Sequence, residues 1–152
     1  MEYTGEQLLI GEIGNFFILI AFAFGGLSTI AYFLAEQNED TSWKKIGRWS
    51  FWAHSLGVVG MVATLFFMIF NQYFEYHYIW QHSSSDLPLR YIFSCFWEGI
   101  EGSFMLWMFW HVIILNVLLR FVGKWEASVM AVAVSVQVFL TSMLLGVFLL
   151  DY

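Results

Sequence analysis

Four long apolar runs, at about 13–34, 49–73, 103–119 and 128–150, dominate this 152-residue chain. Each meets the roughly 17–25 residues that a helix needs to cross a hydrocarbon core. Asp, Glu, Lys and Arg are absent from their central portions. With 60% of residues hydrophobic and 12% charged, water is not the main solvent of such a chain. The expected fold is an all-α integral membrane protein with four transmembrane helices in a single membrane domain.

Basic residues are retained on the cytoplasmic side during insertion, so their positions predict orientation. Lys44, Lys45 and Arg48 fall in the first connection, and Arg120 and Lys124 bracket the third. The second connection has only Arg90, and the termini have none. This distribution predicts an N-out, C-out topology, with the second connection on the outer side. Trp43 and Trp49 mark the inner interface, whereas Tyr73, Tyr76, Tyr78 and Trp80 mark the outer one, as amphipathic rings prefer the headgroup level.

Several functions are excluded. No basic face exists to neutralise phosphates, so nucleic acid is not an expected partner. A single cysteine, Cys95, cannot close an internal disulfide, and no Cys-x-x-Cys-His carries covalent haem. Met1 to Glu12 holds three glutamates and no Lys or Arg, unlike a cleavable export signal, so the first span is expected in the mature protein. Ala21 with Gly25, and Ala53 with Gly57, are small residues at four-residue spacing, the pattern of close helix contact within one bundle. Gly60 and Gly146 are expected to extend these seams.

The second connection, residues 74–102, leaves the apolar runs without becoming very polar. Ser83 to Asp86 read as a turn or cap, and Pro88 suits a first helical turn. Beyond it, Leu89, Ile92, Phe93, Phe96 and Trp97 recur at spacings of three and four, which predicts a short amphipathic helix lying flat on the outer surface. His77, His82, Trp97, Glu98 and Glu101 are the groups there suited to a flat, carboxylate-bearing amphiphile. A helix that only seals the bundle explains the stripe as well, and two acids at spacing three are common on solvated helices.

The run HSSSDLPLRYIFSCFWEGIEGSFMLW, His82 to Trp107, resembles the outer-loop signature of the CcmF/CcsA-type cytochrome c assembly (haem lyase) proteins. EIGNFFILIAFAF, Glu12 to Phe24, is similar to that family's first span. The resemblance implies that the chain corresponds to the N-terminal portion of a longer family protein, and that it serves in c-type cytochrome maturation as scaffold and partial haem-handling surface. Its implied cofactor is haem. Its implied partners, besides membrane lipid, are apocytochrome c and either other maturation subunits or the remaining C-terminal part of the same protein. Ile100 stands where the CcmF branch usually has His, and the family's Trp-rich haem loop is not within these residues, so the stretch is not expected to be active alone. His82, Trp97, Glu101 and Ser103 are the candidate outer haem surface, and Arg90 the candidate propionate partner, because a guanidinium fork suits a carboxylate.

His54 and His111 fall within the second and third spans, where an ionisable group is a functional hypothesis by default. Bis-imidazole ligation would make the chain a small four-helix b-type cytochrome anchor. A neutral imidazole bonded to a neighbouring helix, or reaching to the near interface, explains each more simply. A structural assembly subunit without haem contact is the third reading.

Overall fold

The structure, a computed structural model, describes residues 8–84 and 88–150, with the side chains of residues 8, 89, 90 and 147–150 outside that description. Among the described residues six α-helices follow in order: α1 (Leu8–Asn38), α2 (Thr41–Phe70), α3 (His77–His82), α4 (Leu89–Cys95), α5 (Ile100–Leu118) and α6 (Glu126–Leu150), with a 3-10 turn at Gly123–Trp125 before α6. Among the described residues there is no strand. α1, α2, α5 and α6 hold the four segments long and apolar enough to cross a membrane. They form an antiparallel ring in which α1 lies against α2 and α6, and α5 closes the other side against the same two helices.

The helix ends depart from those of the apolar runs for local reasons. α1 and α2 are joined by only Glu39 and Asp40: Glu39 takes a left-handed conformation (φ 50°), and the Asp40 side chain accepts from Ser42 N–H at 2.7 Å as an N-cap. Lys44, Lys45 and Arg48 therefore stand in the first turns of α2, not in a connection. The second span ends at Phe70, short of residue 73. Gln72 is left-handed (φ 54°), its N–H reaches Ile69 O, and Tyr73 N–H reaches Met68 O. That pair of bonds is a Schellman stop, which satisfies the last carbonyls and turns the chain out of the bundle.

Small residues set the α1–α2 seam. A Cβ on Gly57 would lie 2.9 Å from Ala21 N and 3.0 Å from Phe17 O, so the two backbones touch as the Ala and Gly spacing predicts. Gly60 extends the seam under the Phe17 ring, and Gly25 seats the His54 imidazole, whereas nothing lies within 4 Å of a Cβ on Gly146. Gly146 thus belongs to no seam.

One buried cluster, including Ile18, Met61, Ile69, Phe96 and Met108, fills the end of the bundle that carries α3 and α4. A second, of Tyr32, Phe51, Leu115 and Met130, fills the other end. There Glu126, almost fully buried at the start of α6, accepts from Arg48 Nη2 (2.6 Å) and Nε (3.0 Å) and from the Tyr32 hydroxyl (3.3 Å), with Lys44 at 3.8 Å. The site lies in the first turn of α6, where the helix dipole favours a carboxylate.

Candidate functional site

The segment between α2 and α5 is tied down at both ends by tyrosines. The first turn of α1 leaves its N–H groups without helical partners. One of them, on Gly11, donates to the Tyr76 hydroxyl at 2.8 Å. Tyr78, on α3, does more. Its hydroxyl donates to Phe96 O at 2.7 Å, lies 3.2 Å from Cys95 O, and accepts from Gly99 N–H at 3.3 Å. Burial pushes this phenol up to about 12, and the Glu101 and Glu98 carboxylates add to the rise against the opposing Gly99 N–H.

Around this hydroxyl α4 turns into α5. Side chains at two positions would break the turn. A Cβ on Gly102 would collide with Phe96 O and the Tyr78 hydroxyl, and one on Gly99 would fall on the Tyr78 ring. The latter point is also 3.1 Å from His82 Cε1 and 3.2 Å from Glu101 Oε2, so the imidazole and the carboxylate flank the same glycine. Ser103 Oγ donates to Trp97 O at 3.0 Å, and Ser103 N–H to Gly99 O at 3.1 Å, closing the first turn of α5.

The structure therefore brings His82, Trp97, Glu101 and Ser103 to one junction, as the sequence suggests. Their parts differ. Ser103 ties α5 back to the preceding turn with a hydroxyl hydrogen that is already used, and Trp97 contributes an exposed ring. His82 Nδ1 lies 2.9 Å from Tyr78 O; a carbonyl only accepts, so Nδ1 carries a hydrogen, and in the neutral ring the lone pair is on Nε2. The Arg90 side chain lies outside the described residues, as do Asp86 and the rest of residues 85–87, so the propionate contact and the cap read at Ser83 to Asp86 find no test here.

The helix expected after Pro88 is present, but its apolar stripe is divided. Ile92 and Phe96 are buried, whereas Phe93 and Trp97 are exposed. α4 is held by rings at the end of α2: Phe66 stacks on Phe96 at 4.2 Å and 4°, and Phe93 meets Phe66 and Phe70 at 5.5 and 5.4 Å. Cys95 is buried within this contact. Burial first, and then the Glu98 carboxylate, raise its thiol above the ordinary range, which suits a structural cysteine.

Sequence reasoning missed Tyr78, reading it as an interface ring. The signal available was the pair Gly99 and Gly102 immediately before a span. It also missed α3, which has only six residues, and the Glu126 ion pair.

His54 and His111 both lie within the bundle helices, on α2 and α5. His54 is fully buried, its Nδ1 bonded to Ala21 O at 2.7 Å. Phe51 stacks on it at 6.2 Å, and Gln137 lies beside the ring. It bridges α2 to α1 and α6. His111 is half-buried on α5. Among the described residues no group of three His, Cys, Asp or Glu side chains could hold a metal ion.

No family model matches the chain. Two curated proteins do: the cytochrome c-type biogenesis protein CcmF of Pseudomonas fluorescens, 26% identical over 102 residues, 67% of this chain and 16% of that protein, and its counterpart in Pseudomonas aeruginosa, 24% identical over 99 residues, 65% and 15% respectively. A solved structure of the cytochrome c haem lyase CcmF superposes with a TM-score of 0.81 at 21% identity, covering 93% of this chain and 24% of the other. The chain is CcmF-like in sequence and in fold. It is a multi-pass membrane protein, and it spans about a sixth of the length of the curated CcmF relatives it matches. The likeness does not favour the b-type cytochrome anchor.

Proposed function

We propose that this CcmF-like chain acts in c-type cytochrome maturation, as scaffold and partial haem-handling surface of a haem lyase that attaches haem to apocytochrome c. The carrying observation is that the described part of the His82 to Trp107 run, where the motif resemblance lies, folds as one tethered unit on one end of the bundle. Apocytochrome c and further maturation subunits, or further spans of a longer chain, would be its partners. In the proposed orientation both termini and this unit face the periplasm and the basic end faces the cytoplasm, in keeping with Lys44, Lys45, Arg48, Arg120 and Lys124 all falling at the opposite end.

The residues present fit one side of a haem and not a cage around it. His82 offers a single imidazole nitrogen with its lone pair available, Trp97 an exposed ring for a flat face, and the described residues lack a metal-ligand cluster. Bound haem would supply the vinyl groups that form thioethers with the thiols of an apocytochrome Cys-x-x-Cys-His segment. His82 Nε2 would hold the ligand from one side, and Tyr78 would fix that imidazole through its carbonyl. Glu101, beside the ring, would accept from a donor on the incoming peptide. Such positioning is the whole contribution asked of this stretch, and Cys95, buried with a raised thiol pKa, takes no part.

The test is cytochrome c maturation in the source cells, read as covalent haem in denaturing gels. His82→Ala and Glu101→Gln should each lower the matured cytochrome at unchanged membrane levels of the chain. Full maturation with both substitutions combined would reduce the chain to a structural assembly subunit.

A further inference from the structure

A groove runs down the outside of the bundle between α2 and α5, at the end that carries five of the six basic residues. Its apolar part encloses about 550 Å3. At the level of Trp52, Asn116 and Arg120 it opens into a second cleft of about 290 Å3, lined also by Arg48. Its α2 wall runs from Trp52 to Val59 and its α5 wall from Val112 to Arg120. At 1.5 Å per residue the walls extend about 11 Å, most of the ~15 Å of hydrocarbon in one leaflet.

The two parts of the groove differ chemically. Down its length the surface is aliphatic, with Leu56 and Val117 largely exposed. At its mouth the polar groups are unequally engaged. Asn116 Nδ2 donates to Ser55 Oγ (3.2 Å) and Val112 O (2.9 Å), and Ser55 Oγ donates to Phe51 O (2.8 Å), so the hydrogens of both side chains are spent. Arg48 gives Nε and one terminal nitrogen to the Glu126 carboxylate, which compensates its charge. Arg120 is exposed and, among the described residues, has no carboxylate within ion-pair distance. The mouth thus presents one uncompensated guanidinium above an aliphatic channel. Trp49 and Trp52, packed edge to face at 5.0 Å, stand at the same level, where indoles mark the headgroup region.

We propose that this groove binds one anionic phospholipid, its acyl chain against Leu56 and Val117 and its phosphate on Arg120. A zwitterionic lipid fills the channel equally well but brings its own cation to the guanidinium. A free phosphate satisfies Arg120 but leaves the channel unfilled. Basic pockets between spans take anionic headgroups on these grounds, and the guanidinium fork matches phosphate oxygens in pairs.

Native mass spectrometry of the full chain in detergent, titrated with phosphatidylglycerol or phosphatidylcholine of identical chains, tests this. The expected result is a single retained phosphatidylglycerol, favoured about fivefold over phosphatidylcholine, the preference that one basic side chain near the headgroups supplies. Arg120→Gln should bring the ratio close to one. Lys124→Gln, the same charge change outside the groove, should leave it unaltered. Val117→Trp should abolish retention of both lipids. Equal retention of the two lipids by the unsubstituted chain, an equal loss of preference in Lys124→Gln, or retention by Val117→Trp would each overturn the proposal. So would displacement of phosphatidylglycerol by inorganic phosphate alone, which would leave only an anion site, or a lipid-free dimer, which would put a second copy in the groove.

Discussion

Tyr78→Phe removes one oxygen from the centre of the external unit and leaves the ring that packs there. The hydroxyl serves Phe96 O at 2.7 Å and Gly99 N–H at 3.3 Å, with Cys95 O at 3.2 Å. Phe96 and Gly99 are buried, so water does not readily replace it. A net hydrogen bond contributes about 1 kcal/mol, and a buried group left without a partner costs about 1–3 kcal/mol. One short bond and two long ones therefore place the loss at about 2–3 kcal/mol of local stability. That is roughly a 30- to 150-fold rise in the opening equilibrium of the α4–α5 junction. Hydrogen exchange of the detergent-solubilised chain should show this rise in peptides spanning 96–103, with α1 unchanged, since local opening is read amide by amide. The same bond gives an alkaline arm. The folded phenol titrates at about 12 against an ordinary value near 10, so its protonated form is favoured by the fold. Its contribution is fully present below pH ~10 and is lost as pH rises through about 12. Exchange within threefold of the unsubstituted chain at neutral pH would refute the tether.

Glu126→Gln should remove the countercharge of Arg48, whose side chain is 41% exposed and so partly re-solvated, and destabilise the basic end by about 1–2 kcal/mol, read as a lowered thermal midpoint in detergent. Gly102→Ala should be worse tolerated than Gly57→Ala at the same assay, because its methyl meets the Phe96 carbonyl and the Tyr78 hydroxyl at a closed turn, whereas the Gly57 contacts can be relieved by a small separation of α1 and α2. Cys95 should react slowly with a maleimide at pH 7, since burial both shields it and raises its thiol pKa. Its labelling should become fast on unfolding in SDS, and rapid labelling of the folded chain would contradict the packing of α4 against α2.

The four spans were legible because length and apolarity alone decide them, and the ends were not, because capping decides those. The Schellman stop at Gln72 depends on one left-handed residue that is not glycine, and the α1–α2 turn on Glu39 in the same conformation, neither of which propensity announces. Small-residue spacing located the Gly57 contact with Ala21 but overreached at Gly146, whose surroundings are open. At the external unit the motif residues His82, Trp97, Glu101 and Ser103 stand at one junction. The motif did not separate the His82 imidazole from the Ser103 hydroxyl, whose hydrogen goes to Trp97 O, because only hydrogen-bond partners reveal the difference. Tyr78 and Glu126 were invisible for a related reason: each acts through residues 17 or more positions away.

Absorbance titration of the purified chain with haem addresses the haem-handling face most directly. The account predicts one haem per chain with a Soret shift that is lost in His82→Ala and kept in His111→Ala. Haem binding that survives His82→Ala and disappears in His111→Ala would move the ligand into the bundle and contradict it.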